Sequence, residues 1–314
     1  MGQLNVAVIG CGVWGGNHAR VYNTLPDVKL AAISDIDARR VQHASEMYGT
    51  SGFTDTLQVL QDPNIEAVSI CTPTCTHEYI ASKALDEGKH VLVEKPMTDT
   101  VAGAKDLIEQ ASDQGLNLMV GFVERFNPAV RETKRLIDDG EIGDVIMAYA
   151  RRVSRRPKRV GDIGVVKDLG IHDIDVINYL MGAKPETVYA HCGSIKHKFE
   201  DYANISLGFK GDRSANIETN WLTPKRVRSL TVTGSEGIIG VEYTSQELRI
   251  EKDDHIREPL NGYREPLYQE LQEFASSILE DREPEVTGLD GLNALMVCEA
   301  ALESAATGEV VKLT

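Results

Sequence analysis

Residues 4–15, LNVAVIGCGVWG, place an apolar, β-rich run directly before a glycine cluster that opens a helical stretch. In this GxGxxG pattern the first glycine permits a sharp turn, and the second lets the backbone approach a pyrophosphate. The third lets helix and strand pack closely, while N–H groups at the helix start face the phosphates. The strand–loop–helix context therefore predicts a dinucleotide site, with contacts from Gly10, Gly12, Val13, Trp14 and Gly15.

The alternation of strand and helix continues to about residue 122. Further strands are predicted near 28–34, 66–70, 89–93 and 117–121, with helices near 13–25, 37–48, 55–61, 76–87 and 100–114. Several of these strands are apolar throughout, which is typical of a parallel sheet covered on both faces. The fold class is thus α/β, with a doubly wound Rossmann domain over residues 1–122.

The second half of the chain does not alternate regularly between strand and helix. A helix near 127–139 is predicted to link the halves. Beyond it the pattern indicates a helix near 167–181, strands near 186–196, 201–209, 214–222, 227–233, 237–242 and 247–251, and helices near 264–280 and 289–306. Successive strands with short turns indicate a largely antiparallel sheet. Residues 123–314 are therefore predicted to form an α+β domain.

Composition excludes several classes of protein. The 314 residues include 33 basic and 48 acidic side chains, and the net charge of −15 speaks against general binding to nucleic acid or an anionic membrane. No apolar run reaches the ~20 residues of a spanning helix. Five scattered cysteines without a CxxC pair, and an N-terminus without a basic signal-peptide region, predict a cytoplasmic protein.

An acidic residue at the end of the second strand indicates which dinucleotide is bound. Asp35 follows Gly15 by 20 residues, where a carboxylate accepts hydrogen bonds from the adenosine ribose and repels a 2′-phosphate. Ile36 stands where NADP enzymes usually carry Arg or Lys. The pattern favours NAD, although a structural turn aspartate is the alternative. Asp37 is predicted to cap the following helix.

Several motifs along the chain resemble those of the Gfo/Idh/MocA oxidoreductases. They occur in the family's order: Gly10–Gly15 with His18, Thr72-Pro73 with His77, Glu94-Lys95-Pro96, Arg125-Phe126-Asn127-Pro128, and the helix with Asp168, His172 and Asp175. The resemblance implies a Rossmann domain, and a second domain whose open sheet makes a homodimer or homotetramer. It also implies an active site between the domains, where hydride passes between a sugar-like alcohol and nicotinamide.

The resemblance also assigns site residues. Lys95 matches the family's lysine near the nicotinamide, and His172 and Asp168 match its catalytic pair. These three are implied to contact substrate together with Asn127. The implied cofactor contacts, besides Lys95, are Thr72, Pro73, His77, Glu94 and Arg125.

The chemistry of alcohol oxidation explains why these residue types fit. A base must take the hydroxyl proton while hydride leaves the same carbon, and histidine titrates near working pH. Asp168 lies four residues before His172, so on a helix it can orient the imidazole. The alternatives are a solvated acidic helix with an incidental histidine, or a metal site. No second His or Cys lies at ligand spacing nearby, so no metal is predicted.

Lys95 follows an apolar strand and so falls at a carboxyl strand end, where open α/β sheets bind ligands. Its ammonium could hold the substrate hydroxyl and lower that hydroxyl's pKa. An ordinary surface lysine in a loop is the alternative.

A basic segment interrupts the acidic chain. Residues 151–159, RRVSRRPKR, contain six basic side chains, and arginine suits phosphate oxygens. If Arg151–Ser154 is a strand, Arg151 and Arg152 face opposite sides and the later cations lie in a loop. The alternatives are a solvated charge run or a nucleic-acid patch.

At a finer level the ERFNP motif, the arginine-rich segment and the DLGIHDID helix resemble UDP-N-acetylglucosamine 3-dehydrogenases. The predicted function is therefore NAD-dependent oxidation of a UDP-N-acetylhexosamine at C3, with phosphate contacts from Arg155, Arg156 and Arg159. Family members often carry aromatic residues or proline at the first two of these positions. Two alternatives stay open: oxidation of a free polyol or monosaccharide such as inositol, and a non-catalytic nicotinamide-binding regulator.

Overall fold

The computed structural model describes residues 3–156, 162–259 and 262–313, which form two compact units. Unit 1 comprises the described residues up to Phe122 together with Leu267–Leu292. Unit 2 comprises Val123–Pro266 and the chain from Asn293 onward. Across the described ranges, no helix combines the length and apolarity needed to cross a membrane.

Unit 1 is built on a parallel sheet. Its six strands are β1 (Leu4–Ile9), β2 (Val28–Ser34), β3 (Ser51–Phe53), β4 (Ala67–Ile70), β5 (His90–Glu94) and β6 (Leu118–Gly121). The helices between them are α1 (Val13–Tyr22), α2 (Ala38–Tyr48), α3 (Thr56–Leu60), α4 (His77–Asp86) and α5 (Val101–Gln114). The strand order β3-β2-β1-β4-β5-β6 is that of a doubly wound fold, so the predicted Rossmann sheet is confirmed.

Burial explains why the strands of unit 1 were recognisable. All four residues of β4 and four of the five in β5 are buried, because helices cover both faces of the sheet. Strand β3, which the sequence did not reveal, is the short segment SGF without an apolar pattern. It pairs only at the sheet edge, where Ala32 lies opposite Ser51.

Unit 2 begins with the 3₁₀ turn Val123–Phe126 and helix α6 (Pro128–Asp138), and its main helix is α7 (Ile171–Met181). The strands are β7 (Val145–Arg155), β8 (Thr187–Gly193), β9 (Tyr202–Phe209), β10 (Arg213–Asn220), β11 (Leu222–Gly234), β12 (Ile238–Glu242), β13 (Glu247–Glu251), β14 (Ile256–Arg257) and β15 (Val311–Lys312). Helices α8 (Pro266–Leu279) and α9 (Gly288–Thr307) follow β14, and most of α8 groups with unit 1.

Over the described residues, the sheet of unit 2 has nine strands in the order β14-β13-β12-β11-β7-β10-β9-β8-β15. All neighbours are antiparallel except β7 and β10, which run parallel, so the predicted largely antiparallel sheet is confirmed. Residues alternate between buried and accessible along β9 and β13. One face of the sheet therefore carries the core, and α7 packs against β7 and β10.

Candidate active site

At two positions of the glycine turn in unit 1, any side chain larger than that of glycine would clash with the backbone. Gly10 has a φ of +94°, and a Cβ there would lie 2.7 Å from the carbonyl oxygen of Cys71. A Cβ on Gly15 would lie 1.6 Å from the carbonyl oxygen of Gly10, so α1 packs directly on the turn. Among the described residues, apart from its chain neighbours, no heavy atom lies within 4 Å of a Cβ built on Gly12, which allows the close approach of a pyrophosphate.

A cavity of about 370 Å³ opens beside this turn, between α1 and α2. Its lining includes Cys11, Gly12 and Val13, and the side chain of Val13 is exposed. Burial and the Asp35 carboxylate raise the pKa of the Cys11 thiol to about 11, so this thiol is protonated at neutral pH. The start of α1 thus presents helix N–H groups beside an uncharged thiol, which fits the phosphates of a dinucleotide.

Asp35 lies at the carboxyl end of β2 and faces the glycine turn. Its Oδ2 accepts a hydrogen bond of 2.7 Å from the Cys11 backbone N–H, and its Oδ1 accepts one of 2.9 Å from the Asp37 N–H. Each oxygen keeps a lone pair for a ribose hydroxyl. Asp37 caps α2, as predicted, through its bond with Arg39. The sequence did not single out Arg40, whose Nη1 lies 3.7 Å from Asp35 Oδ2.

The position of Arg40 beside Asp35 allows a test of the preference for NAD over NADP. We expect Asp35→Ala to raise kcat/KM for NADP relative to NAD by about 10- to 100-fold, because the carboxylate no longer repels a 2′-phosphate while Arg40 stays. Initial rates with both dinucleotides measure the ratio, and Asp27→Ala, in the turn before β2, serves as the control. An unchanged ratio in Asp35→Ala would remove this residue from cofactor recognition.

The loops after β4 and β5 are joined by one buried histidine. His77 lies 2.8 Å from the carbonyl oxygen of Thr72 through Nε2 and 2.8 Å from that of Pro96 through Nδ1. Burial lowers the pKa of His77, although both carbonyls favour the charged ring. A neutral ring donates to one carbonyl at a time. The contact of His77 with cofactor stays a prediction, since its ring nitrogens face these two loops.

Thr72 and Pro73 form the first of these loops. The Thr76 hydroxyl lies 2.7 Å from the Thr72 hydroxyl and 2.7 Å from the Pro73 carbonyl oxygen, which closes the 3₁₀ turn Thr74–Thr76. Both residues therefore lie at the carboxyl end of β4, on the same sheet edge as the glycine turn. Their position agrees with the predicted cofactor contact, which stays a prediction.

Glu94 and Lys95 come at the carboxyl end of β5. Glu94 is buried, with Oε1 3.1 Å from His18 Nε2 and Oε2 3.2 Å from the Lys95 backbone nitrogen. The peptide bond between Lys95 and Pro96 is cis. Lys95 is half-buried at the sheet edge where ligands bind in such folds. Both carboxylate oxygens of Glu94 thus face groups of the protein, whereas the sequence predicted a cofactor contact.

The acidic face of the helix in unit 2 is buried. Asp168 is 3% exposed, His172 is 8% exposed, and Asp175 is also buried. The alternative of a solvated acidic face is therefore wrong. Asp168 lies in a π-helical turn, Val166–Gly170, and not in the α-helix predicted to start near residue 167. Such turns occur frequently at functional sites. The predicted catalytic pair thus lies on consecutive turns of one helical segment.

A buried ionic cluster holds this helix on the sheet. Arg152 is 1% exposed, and its Nε and Nη2 donate to the two carboxylate oxygens of Asp173 at 2.9 and 3.0 Å. Its Nη1 also donates to Glu124 Oε1 at 2.9 Å, and Arg228 lies 3.5 Å from the same oxygen. Burial alone would raise the pKa of Glu124, but Arg152 and Arg228 hold it below its ordinary value. Arg152 is therefore an internal anchor of α7.

Two residues of the ERFNP motif also contact the fold itself. Arg125 Nε donates to Asp175 at 2.8 Å, and its guanidinium lies 4.3 Å from the Tyr179 ring centre. The Asn127 amide donates to Glu124 at 3.1 Å and to the Tyr243 carbonyl oxygen at 3.0 Å, while its oxygen caps α6. These contacts fix α7 and α6. Roles of Arg125 toward cofactor and of Asn127 toward substrate stay predictions that these contacts do not support.

The cations of the basic segment, residues 151–159, do not share one role. Arg151 binds Glu218 on β10 at 2.8 Å near the surface, and Arg152 is paired in the core, so two of the six cations form ion pairs with other residues of the protein. Arg155 ends β7 and was wrongly placed in a loop, whereas Arg156 follows the strand; both are exposed. Lys158 and Arg159 lie outside the described residues.

Two exposed cations that the sequence did not single out lie beside Arg155. The pairing of β11 with β7 is irregular between Leu222, opposite Arg155, and Val227, opposite Val153. Lys225 and Arg226 lie in this bulge and are exposed. The sequence did not reveal this group of cations, because only the pairing of β11 with β7 brings the two basic stretches together. In the part of the chain that the structure describes, no group of three or more His, Cys, Asp or Glu is placed to hold a metal ion.

The first unit is a Rossmann unit with a glycine turn and an aspartate bonded to that turn, and the second unit carries a buried acid and imidazole. This combination is typical of a nicotinamide-dependent oxidoreductase. Residues 4–122 match the family described as "Oxidoreductase family, NAD-binding Rossmann fold", and residues 134–313 match its C-terminal alpha/beta domain. The chain belongs to the Gfo/Idh/MocA oxidoreductase family, and its first domain binds NAD.

Some relatives and solved structures match this chain over almost its whole length. The scyllo-inositol 2-dehydrogenase (NAD(+)) of Bacillus subtilis is 32% identical, covering 99% of this chain and 96% of its own length. The myo-inositol 2-dehydrogenase of Thermotoga maritima is 30% identical, covering 99% and 98%. Among solved structures, UDP-N-acetylglucosamine 3-dehydrogenase GnnA from Acidithiobacillus ferrooxidans is 26% identical with a TM-score of 0.91, covering 98% and 100%.

Proposed function

We propose that the protein oxidises a secondary hydroxyl of a free cyclic polyol or monosaccharide, of the inositol type, to a ketone. The observation that carries this proposal is the buried pair of Asp168 and His172 in a chain that binds NAD. The inositol dehydrogenases at 32% and 30% identity support the polyol as substrate more directly than the sequence motifs did.

Each proposed residue has a chemical task. NAD, when bound, accepts the hydride that leaves the carbinol carbon. The His172 imidazole takes the hydroxyl proton, and Asp168 orients the ring and stabilises its protonated form. The Lys95 ammonium holds the substrate oxygen and lowers its pKa. The alcohol loses one hydride and one proton, which gives a ketone, a reduced cofactor and a protonated base.

A panel of alcohols tests this function. Purified protein with NAD is assayed against myo-inositol, scyllo-inositol, glucose and UDP-N-acetylglucosamine, following NADH by absorbance and ketone products by mass spectrometry. Mass spectrometry also detects turnover when the cofactor stays bound. A polyol ketone supports the proposal. The absence of any keto product would favour the non-catalytic regulator.

A second candidate is the nucleotide sugar, a UDP-N-acetylhexosamine oxidised at C3. It is favoured by the exposed cations Arg155, Arg156, Lys225 and Arg226 at one end of β7 and β11. Guanidinium groups suit a pyrophosphate, and GnnA is a structural relative. A free polyol carries no charge for these cations to bind, so the two candidates differ in their dependence on this cluster.

We expect the double variant Arg155→Ala/Arg156→Ala to separate the candidates. For a nucleotide sugar its KM rises about 10- to 100-fold, because charged hydrogen bonds to phosphate are lost. For inositol its KM stays unchanged. Arg249→Ala, an exposed arginine on β13, is the control. An equal KM change for both substrates would mean that these arginines do not recognise phosphate.

We also propose a homodimer or homotetramer assembled through the open face of the nine-stranded sheet. Met147 and Ile238 both pair with Thr233, so they share that face, and both side chains are exposed, as is Tyr149 two residues along β7. Exposed apolar side chains grouped in this way are typical of an interface. Light scattering of the purified protein measures the mass, and a monomer at micromolar concentration would refute the proposal.

A further inference from the structure

The backbone of Lys95 is held by a chain of buried polar groups that reaches the cofactor helix. Glu94 Oε2 accepts from the Lys95 N–H at 3.2 Å, and Glu94 Oε1 lies 3.1 Å from His18 Nε2. His18, on α1, is fully buried, and its Nδ1 lies 2.7 Å from the Ser69 hydroxyl on β4. The contacts therefore connect α1, β4 and β5 at the sheet edge that carries the glycine turn.

The tautomer of His18 decides the direction of each hydrogen bond. When Nε2 carries the proton it donates to Glu94, because a carboxylate oxygen accepts. In that tautomer Nδ1 accepts from the Ser69 hydroxyl. Glu94 keeps its second oxygen for the Lys95 N–H. One carboxylate thus sets the distance between α1, which begins at the glycine turn, and the peptide that carries Lys95.

His77 contacts the residue that follows Lys95. Its Nδ1 lies 2.8 Å from the carbonyl oxygen of Pro96, the residue after Lys95. Pro96 has no N–H, so its carbonyl is the hydrogen-bonding group that its backbone offers. Buried histidines on α1 and α4 therefore contact the two residues next to Lys95: His18 contacts the Glu94 carboxylate, and His77 contacts the Pro96 carbonyl oxygen.

We propose that Glu94, braced by His18, is a positioning residue that sets Lys95 relative to the glycine turn. The proposal rests on the proposed function, in which Lys95 holds the substrate hydroxyl. Glu94 touches neither substrate nor cofactor in this role and acts only through Lys95. Removing both oxygens of Glu94 therefore displaces the lysine and slows hydride transfer while dinucleotide affinity stays.

Two substitutions at Glu94 distinguish a role in positioning Lys95 from a role in folding stability alone. Glu94→Leu is expected to lower kcat about 30- to 100-fold with less than a threefold change in the Kd for NAD, because small displacements of reacting groups are costly. Glu94→Gln is expected to stay within about threefold of wild type. Its amide oxygen can accept from Lys95 N–H while its amide N–H donates to the other tautomer of His18.

A matched control lies at the amino end of β5. Lys89 is buried, and its ammonium donates to the carbonyl oxygens of Asp62 at 2.8 Å and Ile65 at 2.7 Å. Lys89→Met is expected to lower Tm without lowering kcat, because this site is remote from Lys95 along the strand. Equal losses of kcat in Lys89→Met and Glu94→Leu, or a Glu94→Leu enzyme within threefold of wild type, would overturn the proposal.

Amide exchange at Lys95 gives a readout that needs no turnover. We expect the Lys95 N–H to exchange about tenfold faster in Glu94→Leu than in wild type, and at the wild-type rate in Glu94→Gln. Mass spectrometry with residue resolution measures these rates. Equal rates in all three proteins would show that Glu94 does not hold Lys95. Wild-type protein that oxidises none of the alcohols would instead refute the proposed function and leave the exchange result to decide on positioning.

Discussion

Replacing His172 with alanine is expected to lower kcat by about 10²- to 10⁴-fold, the usual contribution of a general base. His172 is 8% exposed and lies one turn after the buried Asp168. An alanine leaves the hydroxyl proton without an acceptor in this buried setting. Steady-state rates with inositol and NAD measure the loss, and NAD titration checks that cofactor binding is unchanged.

His191→Ala provides the control, since His191 is an exposed histidine on β8. Its kcat is expected to equal that of wild type. Added imidazole is expected to restore part of the activity of His172→Ala, because a small base can replace the missing ring. A His172→Ala enzyme with kcat within threefold of wild type would remove this histidine from the mechanism.

Replacing Arg152 with methionine is expected to lower the free energy of unfolding by about 3–5 kcal/mol, the usual cost of leaving a buried charge without its partner. Arg152 is 1% exposed and binds Asp173 and Glu124. Both carboxylates stay buried in the variant. Urea unfolding followed by circular dichroism measures the loss.

Arg151→Met is the matched control one residue earlier. Arg151 pairs with Glu218 near the surface, where such pairs contribute about 0–1 kcal/mol. Adding Asp173→Leu to Arg152→Met is expected to recover part of the stability, because it removes one of the unpaired charges. Equal stability of the two single arginine variants would contradict the anchoring role of Arg152.

Much of the fold was predictable because its signals are local. The runs predicted for β1 and β2 match the observed strands residue for residue, since most of their positions are buried and apolar. Asn5, Lys29 and Ser34 are the polar exceptions. The glycine turn and Asp35 were predictable for the same reason: steric demands at Gly10 and Gly15 and a carboxylate at a strand end each leave a fixed mark in the sequence.

The misassigned features depend on partners that are distant along the chain. Arg151, Arg152 and Arg155 look alike in the sequence, yet only Arg152 meets Asp173 and Glu124 in the core. The π turn around Asp168 was missed because residue spacing cannot distinguish it from an α-helical turn.

The contact of Glu94 with His18 was also beyond the sequence. It spans 76 residues and depends on neighbouring strands of the parallel sheet. The cofactor contact of Glu94 that the family resemblance implies stays a prediction. Only the folded structure, in which α1 contacts β4, shows that the His18 imidazole lies 3.1 Å from Glu94 Oε1.

The most direct test is the transfer of deuterium from the carbinol carbon. Inositol deuterated at its ring carbons, and in a parallel sample UDP-N-acetylglucosamine deuterated at C3, are incubated with the protein and NAD. Mass spectrometry of the recovered nicotinamide and sugar is expected to show one deuterium on reduced NAD and a matching ketone. Reduced NAD without label, or no ketone from either substrate while NAD remains bound, would contradict the account.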